Sequence, residues 1–107
     1  MDLYKETVEE IRRLIESNRG IFYDNKGNFN LSSSELNDIA YVYENYQGEM
    51  CKIFLEDKKK RNRGKANVYD KMIEIIEILE KNSYISNRRS IGRYIIKNLD
   101  IIIKNKI

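Results

Sequence analysis

Six of the eight residues from Lys58 to Lys65 are cations, and the stretch, KKKRNRGK, holds no acid. At that density Lys58, Lys59, Lys60, Arg61, Arg63 and Lys65 can displace condensed counterions and bind a phosphate backbone without reading its bases. A second group follows at Arg88, Arg89, Arg93 and Lys97, in which Arg89, Arg93 and Lys97 are spaced to stack on one helical face. These ten residues are the candidate binding sites for nucleic acid or another partner. Each group also has a purely structural explanation. Lys58 to Arg61 suit the negative end of a helix that Gly64 would terminate. Arg89, Arg93 and Lys97 could form weak surface pairs with Glu74, Glu77 and Glu80 on a neighbouring helix.

Histidine is absent, which removes serine-histidine and cysteine-histidine catalysis together with histidine-ligated zinc. Cys51 is the single cysteine; with neither a base nor a resolving thiol it reads as a small packed side chain. No constellation pairs a nucleophile with a base. The chain is therefore expected to be no enzyme, with no cofactor and no metal site.

Two stretches carry partial resemblances. Asp24 to Glu35, DNKGNFNLSSSE, resembles an EF-hand calcium loop, with Asp24, Asn28, Ser32 and Glu35 at the first, fifth, ninth and twelfth positions. It departs at Lys26, a cation where a ligand oxygen belongs, and at Phe29, where the sharp turn needs glycine. Ser32 and Glu35 also match a helix capping box, so a turn followed by a cap is the better account. The segment from Ile75 to Leu99 resembles the end of a helix-turn-helix unit, which implies a recognition helix bearing Arg89 and Arg93. It lacks the short intervening helix and glycine turn of that family.

The elements that must position these residues follow from apolar periodicity. Asp2 caps a first helix to about Ser17, with Leu3, Val8, Ile11, Leu14 and Ile15 inward and Arg12 and Arg13 outward, and Gly20 ends it. Ile21 to Leu31 reads as an irregular packed loop or a tiny hairpin. One long central helix is predicted from about Ser33 to Arg61, on the stripe Leu36, Ile39, Tyr43, Tyr46, Met50 and Ile53, with a bend at Gly48. A third helix opens at Asn67 and presents Val68, Met72, Ile75, Ile76 and Leu79 over an arc wide enough for several neighbours. A fourth runs from about Arg88 to Asn105. The expected fold is an all-α, compact four-helix domain spanning residues 1–107. Of the eight tyrosines, Tyr4, Tyr23, Tyr41 and Tyr84 fall off the stripes, whereas Tyr43, Tyr46, Tyr69 and Tyr94 are placed in or beside the core.

Charge divides along the chain. Met1 to Asp57 carries six Lys and Arg against twelve Asp and Glu, net −6; Lys58 to Ile107 carries fourteen against five, net +9. Such asymmetry speaks to partners rather than fold. The leading expectation is a small intracellular binding protein that docks on nucleic acid or a nucleoprotein through its basic C-terminal half. The alternative is a protein-binding inhibitor or immunity-type module, in keeping with an isoleucine- and asparagine-rich composition suggestive of an AT-rich phage or bacterial genome. A homo-oligomer joined through its opposite halves is a third. No apolar run reaches the ~20 residues of a membrane span, and the lack of a leader segment predicts a cytoplasmic setting.

Overall fold

The structure is a computed structural model and describes Asp2 to Lys104. It is all-α: the described residues form α1 (Leu3–Ser17), α2 (Arg19–Phe22), α3 (Ser33–Asn45), α4 (Gly48–Arg61), a 3-10 turn (Arg63–Lys65), α5 (Ala66–Lys81), α6 (Ser83–Ser86), α7 (Arg89–Lys97) and α8 (Leu99–Lys104). The predicted arc of the third helix puts α5 at the centre, where Val68, Tyr69, Met72, Ile75, Ile76 and Leu79 are all buried. Antiparallel neighbours flank it. Lys81 at its end pairs with Glu10 of α1, and its first turn meets the end of α4 through Lys59 and Asp70. α7 runs antiparallel to α3, so that Arg89 reaches Tyr43 while Lys97 lies beside Asn37 and Tyr41.

The long central helix predicted from Ser33 to Arg61 is two helices. Tyr46 (φ −126°, ψ 146°) and Gln47 (φ −60°, ψ 164°) are extended, and α4 restarts at Gly48. The cause is tertiary: Gly48 is buried against the Glu80 side chain, and a Cβ there would collide with that carboxylate. The restart changes which residues face inward. Gly48, Cys51 and Leu55 fill the core side of α4, while Tyr46, Met50 and Ile53, the second half of the expected stripe, face solvent.

Smaller departures have local reasons. α1 stops at Ser17 because the Asn18 side chain donates to the Leu14 carbonyl, and Gly20 falls inside α2 rather than ending α1. Ile21 to Leu31 is loop for most of its length. One antiparallel bridge joins Tyr23 to Phe29 across a turn in which Gly27 takes φ 81°, a conformation glycine adopts without Cβ strain. The break expected at Ser83 to Asn87 is the single turn α6, capped by Asn82. The predicted fourth helix divides at Asn98 into α7 and α8, and its predicted end at Asn105 lies outside the described residues. Arg12, expected outside, is buried: its guanidinium donates to the Ile102 carbonyl at 3.2 Å and pairs with Glu9.

The capping box at Ser32 and Glu35 forms as predicted and does more than cap. Glu35 also accepts from Lys65 Nζ at 2.8 Å and from the Tyr69 hydroxyl at 2.9 Å, tying the start of α3 to the start of α5. Burial works to raise its pKa, but the hydrogen bonds from Lys65, the Ser32 amide and Tyr69 outweigh it and bring the carboxyl from 4.5 to about 2. A depressed carboxyl stabilises the fold fully above its unfolded pKa and loses that contribution as pH falls toward its folded one. Glu35→Gln is therefore expected to lower stability by about 2 kcal/mol at pH 7, a gap that shrinks by roughly half by pH 3. Denaturant melts of both proteins at the two pH values check this, and a gap that stays constant would refute it.

Candidate functional site

Arg88 and Arg89 lie at the opposite end of the helical packing from the Lys58 to Lys65 group, whereas Lys97, at the far end of antiparallel α7, lies beside Asn37 and Tyr41 toward the start of α3. Lys59 contacts Asp70 in the first turns of α5, and Lys65 contacts Glu35 in the first turn of α3. Arg89, by contrast, contacts Glu80 in the last turn of α5 and the Tyr43 carbonyl near the end of α3. Ten helical residues from Asp70 to Glu80 span about 15 Å at ~1.5 Å per residue, which separates Arg88 and Arg89 from the Lys58 to Lys65 group.

Half of the ten candidate cations are already ion-paired within the chain. Lys59 pairs with Glu56 and Asp70, Arg61 with Asp57, Lys65 with Glu35, Arg89 with Glu80 and Arg93 with Glu44. Of the pairs expected with α5, only Arg89 with Glu80 forms; Arg93 turns to α3 instead. The other five have no ion pair among the described residues. Lys58 lies over the Phe54 ring and Arg88 over the Tyr84 ring, while Lys60, Arg63 and Lys97 are exposed.

Arg89 belongs to the interior. Its Nε donates to the Tyr43 carbonyl at 2.8 Å, its Nη1 donates to the Ser86 carbonyl and to Glu80, and its guanidinium lies 4.3 Å from the Tyr43 ring centroid. The Tyr43 hydroxyl in turn donates to Glu80 at 3.0 Å. Burial first, then the Glu80 carboxylate, pushes the Tyr43 hydroxyl well above the usual phenol range. This cluster locks α3, α5 and α7 together. Beside it, burial pushes the Cys51 thiol up to about 12, and Sγ donates weakly to the Ile39 carbonyl. Cys51 is thus a protonated packing group at neutral pH.

The oxygens of the EF-hand-like stretch are engaged by the chain itself. Asp24 accepts from the amides of Lys26 and Asn28 and from the Asn28 side chain, which closes the turn and holds its carboxyl below the usual range. Glu35 faces Lys65 and Tyr69. Among the described residues there is no group of three or more His, Cys, Asp or Glu side chains able to hold a metal ion, and no helix long and apolar enough to cross a membrane.

Two surfaces remain that sequence reasoning placed incorrectly or left undivided. The first lies where α3 meets α4. Tyr46 is 52% exposed, Met50 51% and Ile53 58%, and the Tyr46 ring meets exposed Tyr41 edge-on at 6.5 Å between centroids. The signal that could have found it is the second phase within α4: Gly48, Cys51 and Leu55 recur at spacings of three and four, on the opposite side of the helix from Ile53. The second lies where α1, α6 and α7 adjoin. Tyr94, expected in or beside the core, is exposed there with Tyr84, whereas Tyr23, expected off or at the edge of the stripes, is buried. No family model, no curated protein and no solved structure matches the chain.

Proposed function

We propose that the protein is a non-enzymatic binding module that covers the surface of a partner protein with the outer face of α4. The observation that carries this reading is the outward turn of Tyr46, Met50 and Ile53 at the Tyr46–Gln47 break, beside exposed Tyr41. Tyrosine and methionine are enriched at the centres of protein interfaces, and an isoleucine more than half exposed on an outer helix face gains free energy only when something covers it. The rim favours protein over other occupants. Glu49 and Asp57 flank the apolar residues on one helix with Lys60 and pair with Lys52 and Arg61, a border of alternating sign that can match a protein rim of the same kind.

The charge of the basic half, which first suggested nucleic acid, supports that reading less strongly once it is spread along the packing and half paired. The alternative of a protein-binding inhibitor gains accordingly. Capture from native-host extract with the full chain is expected to retain one stoichiometric protein. Met50→Asp and Ile53→Asp should each weaken that complex by roughly tenfold or more while leaving the circular dichroism melt in place. A partner that both variants retain, or no partner at all, would overturn the reading.

A further inference from the structure

The α1, α6 and α7 surface is independent of the α4 face and differs from it in chemistry. Residues 81 to 97 carry five cations and no acid. With Arg89 committed to the interior, Arg88, Arg93 and Lys97 are the cations of this surface, set among Tyr84 (42% exposed) and Tyr94 (56% exposed). A shallow depression of about 500 Å3 opens beside them, lined by Asp2, Leu3, Tyr4 and Tyr84. The Arg88 guanidinium sits 5.0 Å from the Tyr84 ring centroid. Tyr94 is exposed on α7, next to Arg93 and three residues before Lys97. Farther along α7, Arg93 and Lys97 border a small groove with Tyr41 and Glu44, and a bound phosphate would compete with Glu44 for Arg93, which Glu44 pairs at 3.2 Å.

We infer that this surface takes a short single-stranded nucleic acid, with one base in the Leu3, Tyr4 and Tyr84 depression and the adjoining phosphates on Arg88, Lys97 and Arg93. The ring faces supply stacking, which tolerates any base because every base has a π-face. Asp2, which accepts the Lys5 amide through one oxygen, presents an acceptor to the amino edge of a base. A duplex fits poorly. Its bases are already stacked, and gripping its two backbones calls for a wider cationic field than three residues supply.

Fluorescence anisotropy with the full chain tests this, using labelled ten-nucleotide RNA and DNA single strands, the matching duplex, and free mononucleotides as competitors, at stepped salt. The single strand should bind at least tenfold more tightly than the duplex and resist mononucleotide competition. Tyr84→Leu and Tyr94→Leu should each weaken it roughly fivefold to tenfold, with unchanged melts. Arg88→Gln with Lys97→Gln should flatten the salt dependence. Equal binding of the duplex, displacement by mononucleotides at strand-like concentrations, indifference to Tyr84→Leu, or loss caused instead by neutralising Lys58, Lys60 and Arg63 would each overturn it. Because Met50 and Ile53 take no part, its failure is separable from failure of the protein-docking reading.

Discussion

Gly92→Ala is expected to lower stability by about 2 kcal/mol, although alanine is the better helix former. Gly92 is buried in the first half of α7, and a Cβ there would lie 2.9 Å from Tyr43 Cζ and closer still to Cε2. The Tyr43 ring cannot yield. It is fully buried, hydrogen-bonded to Glu80 through its hydroxyl and covered by the Arg89 guanidinium. Overpacking against such a ring costs on the order of 3 kcal/mol, against which the helix-propensity gain of alanine returns about 1. For a chain of this length the net corresponds to a fall in Tm of roughly 8 to 16 °C. Denaturant unfolding checks it: the midpoint should drop with the slope unchanged, and an equal or higher midpoint would show that α7 can move off α3. Gly48 offers a contrast, because its Cβ would meet the end of the flexible Glu80 side chain. The carboxylate can swing away, at the expense of its contacts to Tyr43 and Arg89.

Arg89→Ala is expected to destabilise by about 2 to 3 kcal/mol, more than any other single change among the ten candidate cations. The substitution leaves the Tyr43 carbonyl without its donor and Glu80 half-buried without its cation, and breaking a buried charge pair on one side costs more than the pair contributes. Arg89→Lys should recover little. One ammonium cannot reach Tyr43, Ser86 and Glu80 at once, whereas the planar guanidinium fork does. Arg88→Ala next to it should change stability by no more than about 0.5 kcal/mol, since the Arg88 side chain is exposed and lies over Tyr84. Thermal melts of the two alanine variants, run side by side, decide the matter. Similar melts would mean that Arg89 is a surface cation after all.

That contrast shows what was legible in the chain and what was not. Arg88 and Arg89 are chemically identical neighbours, and only the phase of α7 against α3 separates a surface cation from an internal clamp. The all-α class, the cap at Ser32 and the wide apolar arc of α5 were readable because each rests on local chemistry or on period alone. Gly48 marked a bend at this point, but the full break at Tyr46 and Gln47 was not readable, since neither residue resists helix and the chain has no proline. It follows from the fit of Gly48 against Glu80, a contact between residues far apart in sequence. Tyr46, Met50 and Ile53 were accordingly assigned to the core, and the surface that now best supports a function was hidden inside a correct-looking stripe. The ten cations were legible as a charge excess, but their spread along the packing depends on the antiparallel pairing of α4 with α5 and of α3 with α7.

The two-residue break has a consequence for how such a protein can diverge. Within α4, Gly48, Cys51 and Leu55 hold the helix to the core, and Met50 and Ile53 on the other side are free of that duty. Substitutions on the outer side can therefore accumulate under pressure from a changing partner while thermodynamic stability stays where it is. A deep mutational scan should find α4 split lengthwise, one edge intolerant through folding and the other tolerant until a partner is supplied.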